Sequence, residues 1–498
     1  MKLLLDLMPS FFEFRLPLVA AILITLVSLY AGYLRFKAFS MHGKKLPPGS
    51  QGFPLIGETI SFLKAQKQDK TAEWIKDRVE KYGPVFKTSL MGSQVVLMIG
   101  QAGNKFVFGK NDAIASNLIL PSAILLGKQS LFEVEGGRHK LLRGAMMNFL
   151  KVENVQKLVV EMDSVVKQQV YKELKGKDML HFVTLMKKLT FKVTCSLLFG
   201  LPEGRETDLL FEDFTIVLPG TWAIPLDIPG TIFWKACQAR GRISKMFSNL
   251  IKTRKLEMEE GKTNFREDIV SNLINVRDEE GNPLSTEVII DNLITLVIAS
   301  HDTTAILLSL FVRYLSKDTN VYNKVLKEQA EAAKLGLESD SKLKWSKLQS
   351  MKYTWRVAQE IMRLTPPISG NFKTTIKDTS FGGFDIPKGW RVFWFAPATH
   401  VDETIFEEPE KFDPSRFESL SKSVLPYTYI PFGAGHRVCP GNEFARCEVL
   451  LIIHYLITNY LWTPMIPDEP ITRDPMPYPA MGFPVKLQQR KNLSISTT

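Results

Sequence analysis

One of the four cysteines stands where a thiol can do chemistry. Cys439 lies in PFGAGHRVCPGNEFARCEVLLIIHYLI, where Gly433, Gly435 and Gly441 permit tight backbone paths and a helical pattern, Asn442–Tyr460, follows. Amides at a helix start stabilise a thiolate and lower the cysteine pKa. A thiolate held in this way is a metal ligand or a nucleophile. A nucleophile wants a histidine base, and His436 and His454 are the local candidates, neither at a diagnostic spacing. A buried, inert thiol is the commoner fate of a cysteine, but three glycines, Arg437 and a helix start converge on this one.

A second polar constellation interrupts an apolar stretch. From Ser285-Thr286, with Glu287 in a first turn, IIDNLITLVIASHDTTAILLSLFVRYL predicts one helix to about Leu315, on the order of 45 Å long. Its centre is Ser300-His301-Asp302-Thr303-Thr304. Polar groups in the middle of a buried helix are costly unless partnered. The hydroxyls can bond back to helix carbonyls while the charge reaches water. Alternatively, Asp302 and Thr303 form an acid–alcohol pair facing a cavity, suited to moving protons.

The elements that must position these groups are mostly helical. Apolar periodicity predicts helices at Thr71–Tyr82, Val155–Leu174, Leu185–Leu198 and Cys237–Glu260. Val85–Leu90 and Val95–Ile99 read as a hairpin about Met91-Gly92, and a second β region spans Phe372–Phe395 with Pro387-Lys388-Gly389 as a turn. The fold class is therefore mainly α with minor antiparallel β. There is no internal repeat, GxGxxG or Walker-type loop, so no nucleotide-binding fold is indicated. With 498 residues, 45% of them hydrophobic, the chain can bury a large core, and disordered and collagen-like classes are excluded. Length alone suggests roughly two to three domains. Four cysteines in 498 residues exclude a disulfide scaffold, and Cys195, Cys237, Cys439 and Cys447 include no CxxC pair, which argues against a cysteine zinc site.

The apolar run Leu16–Leu34 carries no charge and is long enough to cross a bilayer. Lys2, Asp6, Glu13 and Arg15 before it cancel, whereas Arg35, Lys37, Lys44 and Lys45 after it are all positive, which places the remainder in the cytosol. The expected organisation is an anchor with its basic flank over 1–45, a stiff proline-rich hinge over 46–58 (LPPGSQGFPLIGE from Leu46), and a catalytic body over 59–498. The net charge is +11. It suits an anionic membrane or an acidic protein partner. No nucleic-acid module accompanies it, so nucleic acid is discounted.

The cysteine segment resembles the cytochrome P-450 superfamily of haem-thiolate monooxygenases. The family's loop Phe-x-x-Gly-x-Arg-x-Cys-x-Gly is matched by Phe432, Gly435, Arg437, Cys439 and Gly441. Its Glu-x-x-Arg helix motif is matched by Glu360 and Arg363, and its Phe-x-Pro-x-Arg-Phe motif by Phe412, Pro414, Arg416 and Phe417. Its oxygen-activating motif reads Ala299-Ser300-His301-Asp302-Thr303, with Ser300 in place of the usual glycine. The resemblance runs the length of the chain, and implies a single large haem domain behind a transmembrane helix, overruling the prior from length.

The resemblance also implies roles. Cys439 becomes the axial thiolate of haem b, a ligand that favours O–O cleavage. Phe432, Gly433 and Ala299 border the cofactor, while Arg437, His139, Arg143 and Lys373 supply cations for its carboxylates. Glu360, Arg363 and Arg416 form a buried charge network behind the ligand loop. Asp302 and Thr303 deliver protons to dioxygen. Leu118, Leu120, Ile294 and Ile298 line a substrate pocket closed by Ile368, Ala480 and Met481, all small or apolar, which fits a large apolar substrate. Electrons come from NADPH through a separate cytochrome reductase on the endoplasmic reticulum membrane. LPPGSQGFPLIGET, TWRVAQEIMRLTPP, PKGWRVFW and MPYPAMGFPVKL resemble the plant branch that oxidises sterols and cyclic terpenes, nearest its triterpenoid and diterpenoid oxidases. That implies hydroxylation or successive oxidation of a polycyclic terpenoid. The alternatives are a sterol or brassinosteroid-like substrate, an oxygen-independent haem-thiolate isomerase, and a haem sensor without turnover.

Overall fold

A computed structural model of the chain describes residues 41–109, 112–115, 120–260, 268–337, 342–419, 425–474 and 476–490, with Thr25 and Gly32. Apart from Thr25 and Gly32, the expected anchor Leu16–Leu34 lies outside the described residues, as does the pocket residue Leu118. A small unit, Met1–Pro47 with Ser380–Ile386, is described over 41–47 and 380–386; there Lys45 N–H donates to Asp385 Oδ2 at 2.8 Å. The large unit, Pro48–Thr379 with Pro387–Thr498, holds every element labelled below.

Seven helices carry the site: α1 (Gln101–Phe108), α2 (Gly136–Leu150), α3 (Phe182–Phe199), α4 (Ile232–Glu259), α5 (Thr286–Lys317), α6 (Lys352–Leu364) and α7 (Asn442–Asn459). The helix expected at Thr71–Tyr82 has those bounds. Others begin earlier than apolar periodicity implies. The Thr231 side chain accepts from Trp234 N–H at 3.2 Å, so α4 starts at Ile232 rather than Cys237. The Val155–Leu174 pattern starts at Val152, without a side-chain cap. Helix α3 ends where Gly200 turns left-handed at φ 62° and Leu201 N–H reaches back to the Cys195 carbonyl.

Helix α5 obeys its sequence closely. The Ser285 side chain accepts from Val288 N–H at 3.4 Å, and Glu287 and Lys317 complement the two ends. Among the described residues it is the one helix long and apolar enough to cross a membrane, yet 83% of its most apolar window is buried inside the protein. It is the axis of the core. The rings of Phe191 (on α3) and Phe214 stand 5.5 and 6.5 Å from that of His301, and Val297, Ala305, Leu308 and Phe311 are fully buried along α5.

Five strands form the main sheet in the order β1-β2-β5-β4-β3: β1 (Val85–Leu90), β2 (Ser93–Met98), β3 (Ile114–Ala115), β4 (Gly370–Thr375) and β5 (Arg391–Phe395). Antiparallel pairing holds at three junctions, including the predicted hairpin, Val85↔Met98. The fourth junction is parallel: β2 pairs with β5, Val96 opposite Val392. The expected minor antiparallel β is present, and this parallel junction is an addition to it. A parallel pair needs a crossover, and the long helical stretch between Met98 and Arg391 supplies one that no local turn signal announces. Further on, β6 (Ile471–Arg473) and β7 (Pro477–Pro479) form a short antiparallel hairpin, Thr472 opposite Tyr478.

Candidate active site

The cysteine loop is shaped by its glycines. Gly433 and Gly435 adopt φ of 71° and 66°, which side chains resist. A Cβ on Gly435 would stand 2.0 Å from the Phe108 carbonyl oxygen at the end of α1, so only glycine permits this approach. Cys439 N–H donates to the Phe432 carbonyl at 2.9 Å, closing the loop two residues before Gly441 caps α7. Burial pushes the Cys439 thiol up, and the Gly441 N–H and Arg143 pull it back only in part. The helix start alone therefore does not yield a low thiol pKa, contrary to expectation; burial outweighs it. A cation bound to the sulfur would favour the thiolate.

Five basic side chains gather around this loop. Arg143 Nη2 donates to the Val438 carbonyl at 2.7 Å, and Arg437 donates to the carbonyls of Leu131 and Val134 and pairs with Glu135 at 2.5 Å. His139 is buried, its ring centroid 6.1 Å from that of His436. Lys373 is buried, donates to the Val107 carbonyl at 3.2 Å and lies over the Phe108 ring. Burial and then Arg437 push Lys373 down to about 8 and His139 down to about 4, and His436 falls for the same reasons. Burial is the main cause of these shifts, and the neighbouring guanidinium groups add to it. Carboxylates of a bound group would oppose these shifts, and the haem that the resemblance implies carries such carboxylates.

Midway along α5, surface reappears. Ala299 is exposed and Thr303 half-buried, between stretches of fully buried residues. The hydroxyls along this stretch bond back to helix carbonyls, while Asp302 is buried against protein partners rather than reaching water. Ser300, Thr303 and Thr304 hydroxyls donate to the carbonyls of Leu296, Ala299 and Ser300 at 2.7, 2.7 and 2.9 Å. Ser300 also accepts from Thr194 on α3 at 3.0 Å, so its hydroxyl is turned toward α3. The Asp302 carboxylate is held by protein rather than water: its Oδ1 accepts from Tyr478 Oη at 2.6 Å and from Lys187 Nζ at 3.0 Å. The exposed face of α5, the cation cluster and the glycine-built thiol loop together fit a haem.

Glu360, Arg363 and Arg416 meet in one charge network. Arg363 makes a two-pronged contact to Glu360, Nε to Oε2 at 2.7 Å and Nη2 to Oε1 at 2.8 Å, and both side chains are fully buried. Arg416 Nε reaches Glu360 Oε1 at 3.3 Å, and Asp413 N–H donates to the same oxygen at 2.9 Å. No local signal points to His400, whose carbonyl accepts from Arg363 at 2.8 Å and whose Nε2 accepts from Ile430 N–H at 2.9 Å. Burial pushes His400 down to about 3, so it is neutral in the folded protein. Its contribution to stability is fully present above its ordinary value of 6.5 and is lost as pH falls toward 3. Wild type is expected to exceed His400→Gln in unfolding midpoint at pH 7, and the gap should shrink steadily below pH 6.5. A gap independent of pH between 7 and 4 would contradict this.

The expected pocket residues divide. Leu120 and Met481 are 60% and 62% exposed, Ala480 is exposed and Ile368 half-buried. Ile294 has no exposed surface and Ile298 little; both pack in the core around α5. Another group that sequence reasoning missed is Glu448 on α7. It is fully buried, with Thr304 as its polar neighbour, and burial holds its carboxyl well above the usual range, hence neutral.

Comparison with known proteins agrees with this geometry. The sequence profile described as cytochrome P-450 matches residues 47–490. The chain is 38% identical over 480 residues to the taxoid 14-beta-hydroxylase of Taxus cuspidata, covering 94% of each chain. It is 36% identical over 450 residues to the beta-amyrin 28-monooxygenase of Vitis vinifera, covering 90% of this chain and 93% of that one. Among solved structures, the retinoic acid bound cyanobacterial CYP120A1 superimposes with a TM-score of 0.79 at 30% identity, over 90% of this chain and all of that one.

Proposed function

The chain belongs to the cytochrome P-450 family, and on that premise we propose that it hydroxylates, or successively oxidises, a polycyclic terpenoid of the diterpene or triterpene class. The observation that carries this is the agreement of relatives: a taxoid hydroxylase and a beta-amyrin 28-monooxygenase each match along nine-tenths or more of this chain. Apolar side chains at Leu120, Ile368 and Met481 suit such a substrate. The net reaction adds one oxygen atom of O2 to a C–H bond and reduces the other to water, consuming two electrons and two protons. Electrons come from a redox partner, for which an NADPH-cytochrome reductase on the endoplasmic reticulum membrane is the proposal. The +11 charge favours its encounter through steering.

Haem b, when bound through the Cys439 thiolate, supplies the activation of dioxygen. The remaining work belongs to the chain. Arg437, Arg143 and Lys373 would hold the cofactor's carboxylates as cations, and His139 would donate to them as a neutral ring. The packed residues of α5 exclude water from all but one stretch of its length. Asp302 and Thr303 move protons inward from solvent. Thr303→Ala should therefore keep NADPH consumption while product per NADPH falls at least about tenfold, with water replacing part of the ~10²-fold that a positioned proton donor contributes. Unchanged coupling would remove Thr303 from the relay.

The function is tested by co-expression with a plant reductase in microsomes supplied with NADPH and a panel of triterpene, diterpene, sesquiterpene and sterol scaffolds. An oxygenated triterpene or diterpene is the expected product. Oxygenated sterol alone would favour the sterol alternative. No product at all, with the thiolate-type carbon monoxide spectrum intact, would discard the terpenoid assignment.

A further inference from the structure

Asp302 does not stand alone at the centre of α5. Three elements meet there: α3 brings Lys187, α5 brings Asp302, and the strand β7 brings Tyr478. The Tyr478 hydroxyl donates to Asp302 Oδ1 at 2.6 Å, and the Lys187 ammonium reaches the same oxygen at 3.0 Å. Lys187 also lies over the Tyr478 ring, 4.3 Å from its centroid, so the three side chains brace one another. The carboxylate is 6% exposed and Lys187 29%. The ammonium is therefore the wet end of the cluster and the carboxylate the dry end. Burial and the Asp302 charge push the Tyr478 hydroxyl well above its usual range, which keeps it a donor.

We propose that Tyr478 is a positioning residue for proton delivery: its hydroxyl, with Lys187, anchors Asp302 by Oδ1 and so holds the carboxylate in one orientation while Oδ2 exchanges protons. This rests on the proposed relay role of Asp302 and goes beyond it by naming what aims the acid. A carboxylate on a short side chain can rotate between rotamers. Two charge-assisted bonds on one oxygen suppress that rotation and leave the other oxygen available. The β6–β7 hairpin suits the task, because it is tied down on both sides. Tyr478 pairs with Thr472 across it, and beyond it Ala480 N–H donates to the Pro470 carbonyl at 2.9 Å while Glu469 accepts from Met481 and Phe483 N–H groups. The same hairpin leads directly into Ala480 and Met481, so the acid and the apolar turn share one rigid support.

The test compares Tyr478→Phe, Lys187→Met and Asp302→Asn in the full-length, haem-loaded protein. Tyr478→Phe removes one hydroxyl and keeps the ring. It should lower product per NADPH about 3- to 10-fold, the scale of one hydrogen bond to a charged group. The solvent deuterium isotope effect on product formation should rise. Lys187→Met should act in the same direction. Iodosylbenzene donates an oxygen atom to the substrate and leaves as iodobenzene, with no proton required, so Tyr478→Phe should leave the rate it supports unchanged. A readout free of turnover is the denaturant unfolding midpoint, where Tyr478→Phe combined with Asp302→Asn should cost less than the sum of the two.

If Tyr478→Phe keeps its coupling and isotope effect while Asp302→Asn loses coupling, the relay stands and the positioning role falls. Loss of iodosylbenzene-supported turnover in Tyr478→Phe would overturn it too, assigning the ring to substrate shape. Full coupling in Asp302→Asn would instead refute the relay itself, and the inference with it.

Discussion

Cys439→Ser should leave a folded protein that has lost both its carbon monoxide signature and its monooxygenase activity. The side chain changes by one atom, and the bonds that shape the loop come from backbone. Cys439 N–H still donates to Phe432, and Arg143 still reaches the Val438 carbonyl. The unfolding midpoint of the haem-free chain should hardly move. What disappears is the capacity to become an anion. Burial pushes the thiol up, and a metal cation bonded to the sulfur would favour its ionised form. A serine hydroxyl is far weaker as an acid and as a soft donor. The reduced, carbon monoxide-bound spectrum should lose its strongly red-shifted thiolate band, and product should fall to background. A retained red-shifted band would show that another residue ligates the iron.

Glu360→Ala should have the largest effect on the fold. The carboxylate accepts from Arg363 twice, from Arg416 and from the Asp413 amide, in a site closed to solvent. Removing it leaves the Arg363 guanidinium fully buried with carbonyl partners but no counter-charge. Breaking a buried pair in this way costs about 3–5 kcal/mol, a large part of the ~5–15 kcal/mol that holds a typical domain together. The yield of haem-loaded protein should collapse, read from the carbon monoxide spectrum against total protein. Glu360→Gln retains acceptor and volume but not charge, and should fall between. Equal holoprotein yields for Glu360→Ala and wild type would mean the network is dispensable.

Much of this was legible in the sequence where the signal is local. The loop Phe432–Gly441 carries its own instructions, since its glycines, its thiol and the helix that follows are adjacent. Helix α5 was readable because a serine cap, an acidic first turn and a long apolar run coincide. Interactions between distant segments were not. Nothing near Asp302 points to Lys187, 115 residues earlier, or to Tyr478, 176 residues later. The parallel β2–β5 junction and His400 were hidden for the same reason. The thiol was misjudged because helix-start amides can be inferred from sequence, whereas desolvation of the sulfur depends on the packed structure. Ile294 was expected at the pocket from its place on α5, but packing leaves it no exposed surface.

The close fit of Gly435 against the Phe108 carbonyl also sets a schedule for the living cell. The two ends of that contact leave the ribosome about 330 residues apart, roughly 15–70 s at ordinary elongation speeds of ~5–20 residues per second. Throughout that interval the first part of the basic cradle, His139 and Arg143 included, exists without the thiol it will serve. Cofactor capture is therefore a late event, completed only when nearly the whole polypeptide has been made. A truncated product ending before Cys439 would carry part of the basic cradle without the thiol that the cradle serves.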